Sequence, residues 1–323
     1  FVLIAEIGVN YYDVASQLQI SPLEAAQKMI LEAKNAGIHA VKFQTYKANT
    51  LASKYSPSYW DTNEENTTSQ YELFKKYDSF DEKHYILLAN YCKKIGIEFL
   101  STAFDFNSAD FLDPLMNVYK ISSSDITNHP FIQYQAKKNK PIILSTGASN
   151  YLEIKKAVDI IRKNNNKPII LMHCILEYPT LQSHSNLNNI ISLKNKFPDL
   201  IIGYSDHTKP DKNLEILKTA YNLGAIIIEK HFTLDKSLVG NDHYHSMDVL
   251  DAIKLNKDIK FIDKIRGSNQ LISFKFEEKA RKNARRSIVA KKDISKGEII
   301  SEKMLTFKRP GDGISPVDIK KNC

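Results

Sequence analysis

The sequence predicts an α/β protein, a (β/α)8 barrel of the TIM type followed by a small second domain. Three observations carry that prediction. Short β-branched runs alternate with longer amphipathic stretches through about 266 residues, and eight βα units in about 250 residues is the pattern of a closed parallel barrel. The runs IILM, LIIG and AIIIE are apolar throughout, as strands covered on both faces must be. No glycine-rich phosphate loop follows the first strand, which argues against an open, doubly wound sheet.

Strands are expected at 2–7, 39–44, 97–101, 118–121, 141–145, 168–173, 200–204 and 225–229. Helices are expected at 22–37, 81–96, 107–115, 130–139, 151–164, 187–197, 213–223 and 249–265. The first of these has Pro22 at its start and Gly37 at its end, as helices favour. The long polar segment 46–77 is expected to be an excursion over the barrel mouth. After Gly267 the pattern changes. A basic link at 277–286 leads to short strands at 287–290 and 298–300, joined by a turn at Lys296-Gly297. The stretch 304–309 and the turn Pro310-Gly311-Asp312-Gly313 follow. The domains are therefore expected at 1–267 (barrel), 268–286 (linker) and 287–323 (small domain). So short a tail holds little core of its own, so it is expected to continue past Cys323 or to lean on a partner. The first residue is not Met, so a few residues are expected to precede it.

The composition excludes several classes. No run of about 18 apolar residues occurs, so no membrane span is expected. The apolar start, 1–10, holds Glu6 and lacks the basic flank and cleavage site of a signal peptide. Cys92, Cys174 and Cys323 are odd in number and far apart, which points to a reducing compartment such as the cytoplasm. The formal charge of +8 is spread over helix faces such as Lys93-Lys94 and Lys155-Lys156. It reads as solvated lysines rather than a nucleic-acid surface, and suits a ligand with phosphate and carboxylate groups.

Barrel enzymes place their chemistry at the C-terminal ends of strands, and here those ends are polar. The first carries Glu6 and Asn10, the second Lys42 and Gln44, the third Ser101-Thr102, and the fourth Lys120 and Ser122 to Asp125. The fifth ends in Ser145-Thr146-Gly147, the sixth in His173 with Tyr178 behind it, the seventh in Ser205-Asp206-His207, and the eighth in Glu229 and His231. Buried charge is costly unless paired or used, so converging polar ends predict one shared active site. Lys42, Lys120 and the hydroxyls of Thr102, Ser123, Ser145 and Ser205 suit anionic oxygens. His207 and His231 end adjacent strands, about 4.8 Å apart, so both imidazoles can reach one divalent metal. Glu6, on the neighbouring first strand, can act as acid or base beside it. Ser205-Asp206-His207 is not read as a hydrolase relay, because successive residues point in alternating directions. Cys174 has no apparent base and is read as core or rim.

The strings AEIGVN, VKFQT, STAF, YKISSSD, PIILSTG, HCILEYPT, GYSDHT and EKHFTLDK, in this order and spacing, resemble the sialic acid synthases and their relatives for legionaminic and pseudaminic acids. In the tail, SIVAKKDISKGEIIS and KRPGDGIS resemble that family's antifreeze-like (SAF) domain. The resemblance implies a synthase that condenses phosphoenolpyruvate with an acylamino sugar and water to a nine-carbon 2-keto acid. It implies phosphoenolpyruvate on Lys42, Thr102, Lys120, Ser123, Ser145 and Ser205, and Mn2+ or Mg2+ on His207 and His231. Glu6, Gln44, Tyr178 and Asp242 match sugar-side positions. Glu229 and Asp125 match acidic positions near the reacting centre, making Glu6, Glu229 and Asp125 the expected catalytic groups. Arg309 matches an arginine that enters the partner's barrel in a domain-swapped homodimer. Departures at 175–177, 240–248 and 283–287 bear on the identity of the sugar more than on the reaction. Two other readings stay open: another phosphoenolpyruvate aldol-type sugar-acid synthase, and a non-catalytic carbohydrate-binding scaffold.

Overall fold

Apolar runs covered on both faces close into a ring. In a computed structural model that describes residues 1–60, 62, 65–240 and 242–322, the strands are β1 (Val2–Gly8), β2 (Ala40–Thr45), β3 (Glu98–Ala103), β4 (Tyr119–Ile121), β5 (Ile142–Ser145), β6 (Ile169–Cys174), β7 (Ile201–Asp206) and β8 (Ile227–His231). They form a closed parallel barrel in chain order, with β8 against β1. The chain divides into two units, Phe1–Ile265 and Arg266–Cys323.

Eight helices lie near their expected positions, from Pro22–Asn35 through Tyr151–Asn164 to Val249–Arg266. Local chemistry sets their ends. Ser21 and Glu24 form a capping box ahead of Pro22, and Asn150 and Glu153 do the same before Tyr151. A further helix, Tyr11–Leu18, was not expected; it buries Tyr11, Val14 and Ala15 just above β1. The segment 46–77 contains short helices at Ala48–Leu51 and Gln70–Lys76. Residues 61, 63 and 64 of that expected excursion lie outside the described residues, as does Cys323. Trp60, Leu73 and Tyr77 form a small cluster with Val9 and Tyr12.

In the second unit β9 (Ser287–Ala290) pairs antiparallel with β10 (Leu305–Lys308). The expected strand at 298–300 does not form: no strand pairs with it, and Ile299 is 89% exposed. The run 304–309 supplies the second strand instead. Ser287 Oγ ties the turn down, donating to Pro310 O at 2.6 Å and accepting from Gly313 N at 2.9 Å. Ser287 is the one buried residue among those described in this unit. No described helix is long and apolar enough to cross a membrane.

Candidate active site

Side chains alternate along a strand, and the barrel turns that alternation into rings. Ile4, Ala40, Leu100, Ile143, Ile170 and Met172 form an apolar cluster apart from the larger one between strands and helices. Two residues further along the same faces stand Glu6, Lys42, Thr102, Ser145 and Cys174. The register sets Glu6 beside Lys42 and His231, Thr102 beside Lys120, and Ser205 beside Glu229. All of these line one cavity of about 70 Å3, with Gln44, Ser123, Tyr178 and His207.

Charge is paired within it. Lys42 Nζ lies 2.5 Å from Glu6 Oε2 and 4.0 Å from Glu229 Oε1, and Lys120 Nζ lies 3.2 Å from Glu229 Oε1. Lys42 donates to Thr102 Oγ1 (3.1 Å), Gln44 Nε2 to Glu6 Oε1 (3.0 Å), and Ser205 Oγ to Glu229 Oε1 (3.0 Å). Burial alone would raise the Glu229 carboxyl, but Lys120 and Lys42 hold it down to about 2. Burial works against the Lys42 ammonium, yet Glu229 and Glu6 keep it above its usual range. Burial raises the Glu6 carboxyl, and Lys42 offsets this only in part. Ser145 Oγ and Glu229 Oε2 are buried without a hydrogen-bond partner, the condition a bound polar ligand relieves. Gly147 N donates to Ser123 Oγ at 2.9 Å, and a Cβ at Gly147 would sit 2.9 Å from that oxygen and from Cys174 Sγ. Only glycine permits this approach.

The histidines gather above. The His207 and His231 rings are 5.6 Å apart, and the Tyr178 ring lies 4.2 Å from His207. His207 Nδ1 donates to Ile175 O at 2.7 Å, which leaves its Nε2 as the ligand atom. The chain after β8 doubles back: Phe232 bridges to Met247, Met247 N donates to His231 O at 2.8 Å, and Asn10 Nδ2 donates to Phe232 O at 3.0 Å. This brings Asp242 and His245 to the end of β8, where the ligand atoms of His231, Asp242 and His245 all lie within 4.8 Å of one another. Burial lowers His207 to about 4 and shifts His231 and His245 the same way. Burial, then Glu6, raises Asp242 to about 7. Neutral imidazoles, a carboxylate and the unpartnered His231 Nδ1 fit a divalent cation. The expected ligand pair is thus divided, with His231 inside the tight cluster and His207 beside it.

A second chamber of about 90 Å3 shares Gln44, Tyr178 and His231 with the first cavity. Tyr46, Tyr59, Trp60, Phe74, Tyr77, Asp13 and Asp242 line it. Asp125 does not join the inner group; it accepts from Asn128 at 3.1 Å and lines a wider outer cavity of about 460 Å3.

A model of the NeuB family matches residues 29–271, and a SAF-domain model matches 285–321. The chain belongs to the NeuB family. This NeuB-family chain is 42% identical to the N,N'-diacetyllegionaminic acid synthase of Campylobacter jejuni, over 97% of its own length and 91% of that protein's. It is 29% identical to the human N-acetylneuraminate-9-phosphate synthase, over 98% and 86%. The crystal structure of the N-acetylneuraminic acid synthetase of Leptospira borgpetersenii, in complex with citrate, matches with a TM-score of 0.73 at 33% identity, over 86% and 89%.

Within this NeuB-family barrel the triple Ser205-Asp206-His207 points three ways. Ser205 bonds Glu229, Asp206 meets Lys230 at 2.5 Å, and His207 bonds Ile175. Cys174 Sγ lies 3.6 Å from Ser123 Oγ, and burial pushes its thiol up to about 11, which fits a rim residue and not a nucleophile. In the departure at 175–177, Leu176 lines the inner cavity, while Glu177 turns away to His184 Nδ1 at 3.0 Å. Arg309 is exposed in the SAF unit. His245 follows no strand end; its signal in the sequence is the compact string Asp242-His243-Tyr244-His245.

Proposed function

We propose that the chain condenses phosphoenolpyruvate with an uncharged N-acylated amino sugar and water, giving a nine-carbon 2-keto acid and phosphate. The acceptor is N-acetylmannosamine or a 2,4-diacetamido-trideoxyhexose. One observation carries this reading. A cavity lined by Lys42, Lys120 and hydroxyls meets, at Gln44, Tyr178 and His231, a chamber of aromatic rings and carboxylates with no lysine or arginine among its described lining residues. The first suits phosphate and carboxylate. The second suits acyl methyls and sugar C–H faces. The likeness to an N,N'-diacetyllegionaminic acid synthase, at 42% identity against 29% for the human N-acetylneuraminate-9-phosphate synthase, supports an acceptor without phosphate.

Lys42, Lys120, Thr102, Ser123, Ser145 and Ser205 bind the anionic groups and aim the enol carbon at the chamber. That carbon forms the new C–C bond with the aldehyde carbon of the open-chain sugar. Glu6, beside Lys42 and Gln44, relays a proton to the aldehyde oxygen as it becomes a hydroxyl. Glu229, held ionised, stabilises positive charge developing at the former enol C2. Water adds at C2, the C2–O bond breaks and phosphate leaves. His231, with His207 beside it, would hold a divalent cation, which would supply Lewis-acid polarisation of the aldehyde. Asp125 serves as an acidic group at the outer edge. The chain works as a swapped homodimer in which Arg309 of one copy meets the sugar held by the other.

Product mass spectra from a panel of acylamino sugars, free and phosphorylated, test this. Free sugars should give a nine-carbon acid and their phosphates should not. In 18O-water the label should enter the C2 hydroxyl and leave the released phosphate unlabelled; labelled phosphate would mean attack at phosphorus and refute the mechanism.

A further inference from the structure

Five of the nine histidines are buried, and they divide by how their ring nitrogens are used. His173 Nε2 bonds Ser185 O at 2.8 Å, and His207 Nδ1 bonds Ile175 O at 2.7 Å. His243 is held at both nitrogens, by Thr233 Oγ1 at 2.8 Å and Asp13 Oδ2 at 3.3 Å. His245, two residues later and fully buried, has no hydrogen bond at either nitrogen, and His231 Nδ1 has none. A buried, unbonded imidazole is costly, and two of them with rings 4.8 Å apart ask for a shared partner. Asp242 stands between them, Oδ2 at 3.4 Å from His231 Nδ1 and Oδ1 at 3.8 Å from His245 Nε2. Ligands about 2.0–2.2 Å from one ion lie roughly 3–4 Å from each other, so a small closure puts all three on one cation.

We propose that His245 is a protein ligand of the divalent cation, forming with His231 and Asp242 a two-imidazole, one-carboxylate set that selects transition metals over Mg2+. The proposal rests on the reading of this centre as metal-assisted, and it deepens that reading. Two imidazoles with one carboxylate suit Mn2+, Fe2+, Co2+ or Zn2+, whereas Mg2+ favours oxygen ligands and retained water. His207, anchored through Nδ1 on Ile175 O, stands beside this set, its ring 5.6 Å from that of His231, with Nε2 as its ligand atom.

The test is calorimetric titration of the metal-stripped full chain with Co2+, Mn2+ and Mg2+, together with the visible spectrum of the Co2+ form. The wild type should bind one Co2+ far more tightly than Mg2+. His245→Ala should weaken Co2+ binding by at least about tenfold, the least expected when an inner ligand is lost, should change the Co2+ spectrum, and should leave Mg2+ affinity nearly unchanged. Should the alanine variant fold poorly by circular dichroism, His245→Gln, which keeps the volume, serves the same comparison. Unchanged Co2+ affinity and spectrum in a folded His245 variant would overturn the proposal. Product formation is assayed separately on the wild type: failure there with every metal condemns the proposed condensation but leaves the ligand result standing.

Discussion

Lys42 touches more of the inner cavity than any one role needs. It reaches Glu6, Glu229 and Thr102 at once, so its removal leaves two buried carboxylates with one fewer cation and the anion with one fewer donor. Lys42→Ala should weaken phosphoenolpyruvate binding by about 1.5–3 kcal/mol, the scale of a hydrogen bond to a charged group. Steady-state kinetics should show this as a raised KM for phosphoenolpyruvate; unchanged KM and kcat would remove Lys42 from the anion site. Stripping metal with EDTA should abolish turnover, and Mn2+ should restore it; full activity in metal-free buffer would rule out the role given to the histidines. Residue types at strand ends make these groups legible in the sequence. Asp125 shows where that reasoning stops: β4 is three residues long, and the short helix after it carries Asp125 away from the lysines.

At the scale of elements, β7 and β8 are riveted from behind the site. Asp206 and Lys230 are register partners, fully buried, and Lys230 also donates to Thr208 O at 2.7 Å. Each immediately precedes a histidine of the mouth, so the pair fixes the separation of His207 and His231. Asp206→Ala should cost about 3–5 kcal/mol in chemical unfolding, since it strands a buried ammonium. Burial alone would raise the Asp206 carboxyl, but Lys230 holds it below its usual range. A depressed carboxyl contributes stability above its unfolded value near 3.9 and loses it as pH falls through the lower folded value, so this contribution should vanish only in strong acid. Gly203→Ala should also destabilise, by about 1–3 kcal/mol, because its Cβ would meet Ile227 O at 2.7 Å and the Met172 sulfur. Apolar runs such as those of β6 and β7 were plain in the sequence because both faces are covered. Tyr11–Leu18 was not, because eight residues give barely two turns of periodicity. His245 was not, because a loop fold-back, not a strand, delivers it.

For the whole molecule, the testable claim is assembly. Glu6→Ala and Arg309→Ala chains, each inactive alone, should on mixing recover up to roughly a quarter of wild-type activity if subunits exchange at random and each site draws on both copies. No recovery despite proven exchange would mean that Arg309 acts in its own chain or not at all. The SAF unit gives this claim a second side. Among its described residues Ser287 alone is buried, and Phe276, Ile299 and Val317 are each more than 80% exposed. Where a partner copy covers those side chains, as in the proposed dimer, the order of the unit rises with the concentration of that copy. Diluted chains should be nicked by protease first within 266–323 while the barrel resists. In the proposed dimer, protease resistance of the tail would thereby read out the fraction of assembled chains.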